Sequence, residues 1–180
     1  EAVRAYADAA FESLSGEADR RGFEIGGSRV LDFGCGTGQL TERLAGSCRS
    51  IDAVDVSPAM LEVVQAKITG HGWNHVRTLS EIPGGDPVYD LIVCSSVCSF
   101  LDDYPGTARR LAGLLRTGGL FVQWDWELDP SHDDPHGLTR AGIEGALSAA
   151  GLGFVTVRTA FEVTVGQQSM SPLLGVGRQP

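Results

Sequence analysis

Between positions 30 and 38 the chain reads Val30, Leu31, Asp32, Phe33, Gly34, Cys35, Gly36, Thr37, Gly38, and no other stretch narrows the possible folds as far. A short apolar run opening into alternating glycines suits a buried strand that must turn sharply and let a ligand touch its backbone. Leu40, Leu44 and Ala45 then recur at helical spacing, with Thr41, Glu42 and Arg43 between them, which predicts a helix over 39–46. The unit is strand, glycine turn, helix. The next run, Ile51 to Val56, carries Asp55 seventeen positions after Gly38. A second parallel strand there brings a carboxylate alongside the turn. A nucleoside with free ribose hydroxyls fits beside it.

Strands and helices alternate along the rest of the chain. Val3, Tyr6, Ala10, Phe11 and Leu14 give residues 1–21 the spacing of an amphipathic opening helix. Ser57 and Pro58 make a helix start, serine as N-cap and proline at the first helical position. Met60, Leu61, Val64 and Ile68 line one face of that helix, and Gly70 and Gly72 end it. Val76–Leu79 and Tyr89–Val97 read as strands, residues 103–116 as a helix, and Leu120–Trp126 as a further strand. A polar loop, 127–136, leads into a helix over 138–150, and Phe154–Val163 with Met170–Val176 form a terminal pair of strands joined by a short turn. The expectation is an α/β fold with a mostly parallel sheet and an antiparallel C-terminal hairpin.

Totals narrow the partners. At 180 residues, 42% of them hydrophobic, the chain suits one domain spanning 1–180 with a sizeable core. Its formal charge of −9 disfavours a nucleic-acid partner. Apolar runs fall short of the roughly 18 residues a membrane span needs, and the start at Glu1 lacks the basic and apolar regions of a signal peptide. No membrane partner and a cytoplasmic location are expected. Four cysteines, at 35, 48, 94 and 98, are read as reduced thiols.

In these residues the chain resembles the class I S-adenosylmethionine (SAM)-dependent methyltransferases, a Rossmann-like family with a seven-stranded sheet and helices on both faces. The first family motif is matched by Leu31 to Gly38, the second by Asp55, Val56, Ser57, Pro58, Ala59, Met60 and Leu61, the fourth by Tyr89 to Val93 leading to Ser95 and Ser96. The NAD-binding form of a glycine turn usually has glycine where Gln39 stands. What the resemblance implies is methyl transfer from SAM to a small-molecule acceptor, with a non-catalytic SAM-binding partner protein as the alternative. It assigns the cofactor to Asp32, Gly34, Cys35, Gly36, Gly38, Asp55, Val56, Leu79 and Ser95. Asp55 would accept both ribose hydroxyls, Val56 would lie on the adenine face, and Leu79 would offer its backbone amide. Thr78 stands where many relatives have an aspartate for the adenine amino group, with Ser80 or Glu81 as substitutes nearby.

Methyl transfer needs no obligatory catalytic residue, and a base helps where the acceptor is a hydroxyl. Candidates lie after the fifth strand: His132 and Asp125 as catalytic groups, Trp124 and His136 against the acceptor. Tyr6 joins them from the opening helix, which by resemblance forms a lid. His132 and His136, four apart in a proline-containing loop, share no helical face, so no metal is expected. The acidic stretch from Asp125 to Asp134, which has no basic residue, would favour an amine or other cationic acceptor.

Overall fold

The computed structural model describes residues 1–128, 137–166 and 168–180. A seven-stranded sheet forms its centre, in the order β3 (Val76–Leu79), β2 (Ser50–Val54), β1 (Arg29–Phe33), β4 (Tyr89–Ser95), β5 (Leu115–Asp125), β9 (Leu173–Arg178) and β6 (Gly153–Thr159). From β1 the chain steps outward through β2 and β3. It then crosses back to β4 and β5 on the other side of β1. All these neighbours pair in parallel. The order reverses between β1 and β4, so the crevice at their carboxyl ends is the place where an open parallel sheet binds ligands.

Helices cover both faces because the central strands are apolar at both parities. The α1 (Ala2–Arg21), α2 (Gln39–Leu44) and α3 (Pro58–His71) helices close over one face, around Leu14, Leu44, Val64 and Trp124. Helices α4 (Tyr104–Ala112) and α5 (Arg140–Ala149) close over the other, around Leu31, Phe121, Leu111 and Ile143. Ser57 caps α3 by accepting from the Met60 amide at 3.4 Å, with Pro58 in the first turn. No helix among the described residues is long and apolar enough to cross a membrane.

Several boundaries differ from expectation. The helix expected over 103–116 stops at Ala112, and Leu115 already pairs with Tyr89 as the first residue of β5. Its leucines were needed in the sheet core. The strand expected to reach Val97 ends at Ser95, because Ser96 adopts φ 55 and turns the chain into a single 3-10 turn, Cys98–Phe100. The terminal pair is longer in its connection than expected: β6 (Gly153–Thr159) and β9 (Leu173–Arg178) pair antiparallel, and between them β7 (Val163–Val165) and β8 (Gln168–Met170) form a separate ribbon. Since β9 is antiparallel to both β5 and β6, it is the one reversed strand of the main sheet.

Helix α1 is pinned to the sheet at its carboxyl half. Glu17, 4% exposed, accepts from Arg20 at 2.7 Å, Arg21 at 2.6 Å and Arg158 of β6 at 2.9 Å. Burial works to raise the Glu17 pKa, yet the three guanidinium groups outweigh it and hold the carboxyl down at about 2. Arg21 also reaches the Phe154 carbonyl and the Thr156 hydroxyl, while Trp124 donates to Ser13 at 3.2 Å.

Candidate active site

The glycine turn leaves β1 still bonded to its neighbour. The amides of Gly34 and Cys35 both donate to the Val54 carbonyl, at 2.8 and 3.0 Å. Gly34, Gly36 and Gly38 have φ of 71, 51 and 73, a left-handed region that glycine adopts without strain. A Cβ on Gly34 would lie 2.4 Å from a Val97 methyl, whereas one on Gly36 would meet nothing within 4 Å. The first glycine is therefore demanded by packing, and the second leaves room in front of the turn.

Two carboxylates flank it. Asp55, directly after β2, accepts from the Gly36 amide with one oxygen and from the Ser57 amide with the other, both at 2.9 Å. It thereby ties the glycine turn to the cap of α3, and each oxygen keeps a lone pair for a ligand. Asp32, 1% exposed within β1, accepts from the Thr41 hydroxyl at 2.5 Å through Oδ2, while its Oδ1 has no partner among the described residues. Burial pushes the Asp32 pKa up to about 6; the Thr41 bond opposes this and the negative charge of Asp55 adds to it. A buried carboxylate oxygen without a donor is costly unless a ligand supplies one.

Around Asp55 the surface is hollowed into two adjoining lobes. One, of about 410 Å³, is lined by Tyr6, Asp32, Gly36, Met60, Ser95 and Ser96 among others. The second, of about 350 Å³, is mostly apolar, with Val54, Val56, Ile82 and Leu101 in its walls and Ser80 and Glu81 at its polar edge. Gly34, Asp55, Val97 and Phe100 line both. A larger open hollow of about 600 Å³, between α1 and residues 22–26, lies at the amino end of β1, away from the carboxylates and the glycine turn.

A family model described as Methyltransferase domain matches residues 31–121, the segment that carries all the residues just named in the two lobes except Tyr6. The chain belongs to the methyltransferase-domain family. It is 30% identical over 104 residues to a ubiquinone biosynthesis O-methyltransferase of Xanthomonas euvesicatoria, covering 55% of this chain and 44% of that protein. It is 35% identical over 101 residues to a malonyl-[acyl-carrier protein] O-methyltransferase of Halalkalibacterium halodurans, covering 52% and 37% respectively. The match thus spans less than half the length of both. The solved magnesium protoporphyrin IX methyltransferase of Synechocystis PCC 6803 with bound SAM shares the fold, with a TM-score of 0.73 at 20% identity over 98% of this chain and 81% of that one.

Seen as a methyltransferase-domain cleft, the structure gathers some of the sequence candidates and disperses others. Tyr6, Asp32, Gly34, Cys35, Gly36, Asp55 and Ser95 line the first lobe, and Val56, 85% exposed, lines the second. Gly38 stands behind the turn as the N-cap of α2, where a Cβ would press Val64 at 3.0 Å. Leu79 is not among the lining residues; its carbonyl accepts from the Asp55 amide at 3.1 Å, and Ser80 and Glu81 take its place at the cleft. His132 and His136 lie outside the described residues. Ser96, Val97, Met60 and Phe100 complete the walls. Of these, Ser96 is strained at φ 55 and donates its hydroxyl to Tyr6 at 3.0 Å.

Trp124 and Asp125 are corrections to the expected acceptor side. Trp124 is fully buried under α1 with its indole N–H on Ser13. Asp125, also fully buried, accepts from the amides of Cys98 at 2.8 Å, Ser99 at 3.2 Å and Trp126 at 3.1 Å. Its burial, only partly opposed by those bonds, raises its pKa. A strand covered on both faces buries both parities, which a position after a strand cannot reveal from sequence. Asp125 therefore holds the turn after β4 in place instead of facing an acceptor. Asp125→Ala is expected to lower folding stability by about 2–4 kcal/mol, because one buried and two half-buried donors lose their acceptor, and urea unfolding checks this; Asp125→Asn keeps part of it.

Proposed function

We propose that the chain holds SAM across the two lobes and transfers its methyl group to an oxygen atom of a small-molecule acceptor. The observation that carries this reading is the Oδ1 of Asp32, buried, without a donor among the described residues, and belonging to a residue that lines the cleft beside the glycine turn. An α-ammonium group supplies the missing donor and the countercharge. Asp55 offers a lone pair on each oxygen to a pair of ribose hydroxyls. Gly34 and Gly36 let the backbone approach the amino-acid part of the ligand, and Cys35 contributes its main chain. Val56, Ile82 and Val97 make an apolar slot for the base, with Ser80 and Glu81 as acceptors for an exocyclic amino group. When bound, SAM supplies an electrophilic methyl group on a sulfonium.

The chain's own part in the reaction is positioning. Ser95 and Ser96, at the end of β4, and Tyr6, facing them from α1, border the polar lobe where an acceptor would be held in line. Burial pushes the Tyr6 pKa up to about 12, so its hydroxyl serves as a neutral donor, not a base. The oxygen acceptor is drawn from the two curated relatives, both named as O-methyltransferases. The net charge of −9 favours a small molecule over nucleic acid.

Calorimetric titration with S-adenosylhomocysteine tests the reading. Binding in the micromolar range is expected at pH 8, with none for NAD. The ammonium requires ionised Asp32, whose raised pKa leaves it protonated below about pH 6 in the free chain. Affinity should therefore be flat above pH 6 and fall about tenfold per unit below it. Asp32→Asn should weaken binding at pH 8 and abolish that slope. Failure of both sulfur nucleosides to bind would overturn the proposal.

A further inference from the structure

The residues of α1 that face the cleft lie in its first two turns: Val3, Tyr6 and Ala7 line the polar lobe. Those turns and the rest of the helix are held in different ways. From Ala10 onward α1 is fixed by the fully buried Ala10 and Leu14, by the bond from Trp124 to Ser13, and by the Glu17 cluster on β6. Before Ala10, Val3 is 64% exposed while Tyr6 and Ala7 are buried, with the Tyr6 ring 5.6 Å from that of Trp126 and 5.3 Å from that of Phe161, and further ties to the body of the protein are polar. One of these polar ties is the Ser96 to Tyr6 hydroxyl bond; another is Arg43.

Arg43 lies on α2, five residues beyond Gly38 of the glycine turn. Its Nε donates to the Asp8 carboxylate at 2.7 Å and its Nη2 approaches the same oxygen at 2.6 Å. Nη2 also donates to the Arg4 carbonyl at 3.1 Å, and Nη1 donates to the Gln39 carbonyl at 2.6 Å. A single guanidinium thus joins two points on the first turns of α1 to the first residue of α2. Its planar fork suits this, because several acceptors are met without independent rotations. Arg43 is largely buried, with 17% of its side chain exposed, whereas Asp8 is 63% exposed. An exposed ion pair by itself contributes little. The shared carbonyl contacts give the arrangement its direction: they fix where the front of α1 stands relative to the glycine turn.

The structure assigns Arg43 as the positioning residue that latches the cleft-facing turns of α1 over the bound nucleoside, so that its release requires this fork to open. The assignment rests on the SAM-binding reading for its ligand but not for its mechanics. Arg43 is not among the residues that line the cleft, although it bonds to Gln39, which is, and it acts on the α1 side through Val3, Tyr6 and Ala7. Residues after Ala10 stay in place when the fork opens, since their anchors are separate.

Two measurements on the full chain test it. The first uses the free protein: amide hydrogen exchange in wild type, Arg43→Ala and Asp8→Asn. Protection of the amides of residues 5–10 is expected to fall severalfold in both variants while residues 14–21 keep theirs. Unchanged protection at 5–10, or an equal loss along the whole helix, would overturn the latch. The second is stopped-flow release of S-adenosylhomocysteine by displacement with excess SAM. Release is expected to be about tenfold faster in Arg43→Ala, less so in Arg43→Lys, which keeps the charge without the fork. The reversed pair Asp8→Arg with Arg43→Asp should slow release again relative to Arg43→Ala. The dissociation rate of an already folded complex does not report on folding stability, so a merely structural arginine leaves it unmoved. Release within twofold of wild type in both single variants overturns the assignment. If wild type binds neither sulfur nucleoside, the proposed function fails and the exchange experiment alone decides the latch.

Discussion

Asp55→Ala is expected to weaken S-adenosylhomocysteine binding by two to three orders of magnitude. Each charge-assisted hydrogen bond to a ribose hydroxyl contributes on the order of 1.5–3 kcal/mol, and two of them at the lower end of that range, about 3–4 kcal/mol together, convert to about 100-fold to 1000-fold in affinity. The same carboxylate also accepts from the Gly36 and Ser57 amides, so the variant loosens the turn that faces the ligand. A modest fall in thermal stability should accompany the loss, because both amides lie in loops that water can reach. Asp55→Asn separates the two effects: it keeps the volume and one acceptor oxygen but must turn its amide toward a backbone donor. Calorimetry gives the affinities, and thermal unfolding followed by circular dichroism gives the stability. A loss below tenfold in Asp55→Ala would mean that the ribose does not sit on this carboxylate.

Asp55 was legible in the sequence for a physical reason. A strand period followed by glycines fixes where one carboxyl end lies, and parallel pairing fixes the next strand beside it; Phe33 indeed pairs with Val54, one residue before Asp55. The same logic found Asp32 and the capped start of α3. It failed where neighbours rather than local pattern decide. Trp124 and Asp125 stand at the carboxyl end of a strand, as a site residue would. They are buried because β9 pairs beyond β5 and because α1 and the turn after β4 cover them. No spacing in the sequence announces that β9 inserts between β5 and β6, or that a ribbon separates β6 from β9. Ser96 and Val97 were missed for the opposite reason: the apolar run Tyr89–Val97 reads as continuous strand, and only the left-handed backbone at Ser96 turns them into the cleft. Arg43 reads in the sequence only as a residue between the apolar positions of its helix, since its partners Arg4 and Asp8 come from another helix.

The second large effect is expected at Gly34. Replacing it by alanine meets two separate penalties. At φ 71 a side chain costs on the order of 1–2 kcal/mol in backbone strain. In addition, the new Cβ would stand 2.4 Å from Cγ2 and 2.5 Å from Cβ of Val97, so Val97 must move. Moving it is expensive, because Val97 packs against the core under α4 and lies where the two lobes meet. Gly34→Ala should therefore lower folding stability by about 2–4 kcal/mol and reduce nucleoside binding at the same time, as the displaced valine intrudes on the waist of the cleft. Val97→Ala removes the methyl groups that collide with the new Cβ but leaves the strained φ and the Cβ of residue 97, 2.5 Å away. The double variant Gly34→Ala with Val97→Ala should accordingly recover about 1–2 kcal/mol relative to the sum of the single changes, with part of the affinity. Urea unfolding and calorimetry on the four proteins close this cycle. Additive losses would show that the Val97 methyl groups play no part in the requirement for glycine; a coupling of the expected size makes the contact with them the second reason for it, one that ties the shape of the ligand turn to the strained corner after β4.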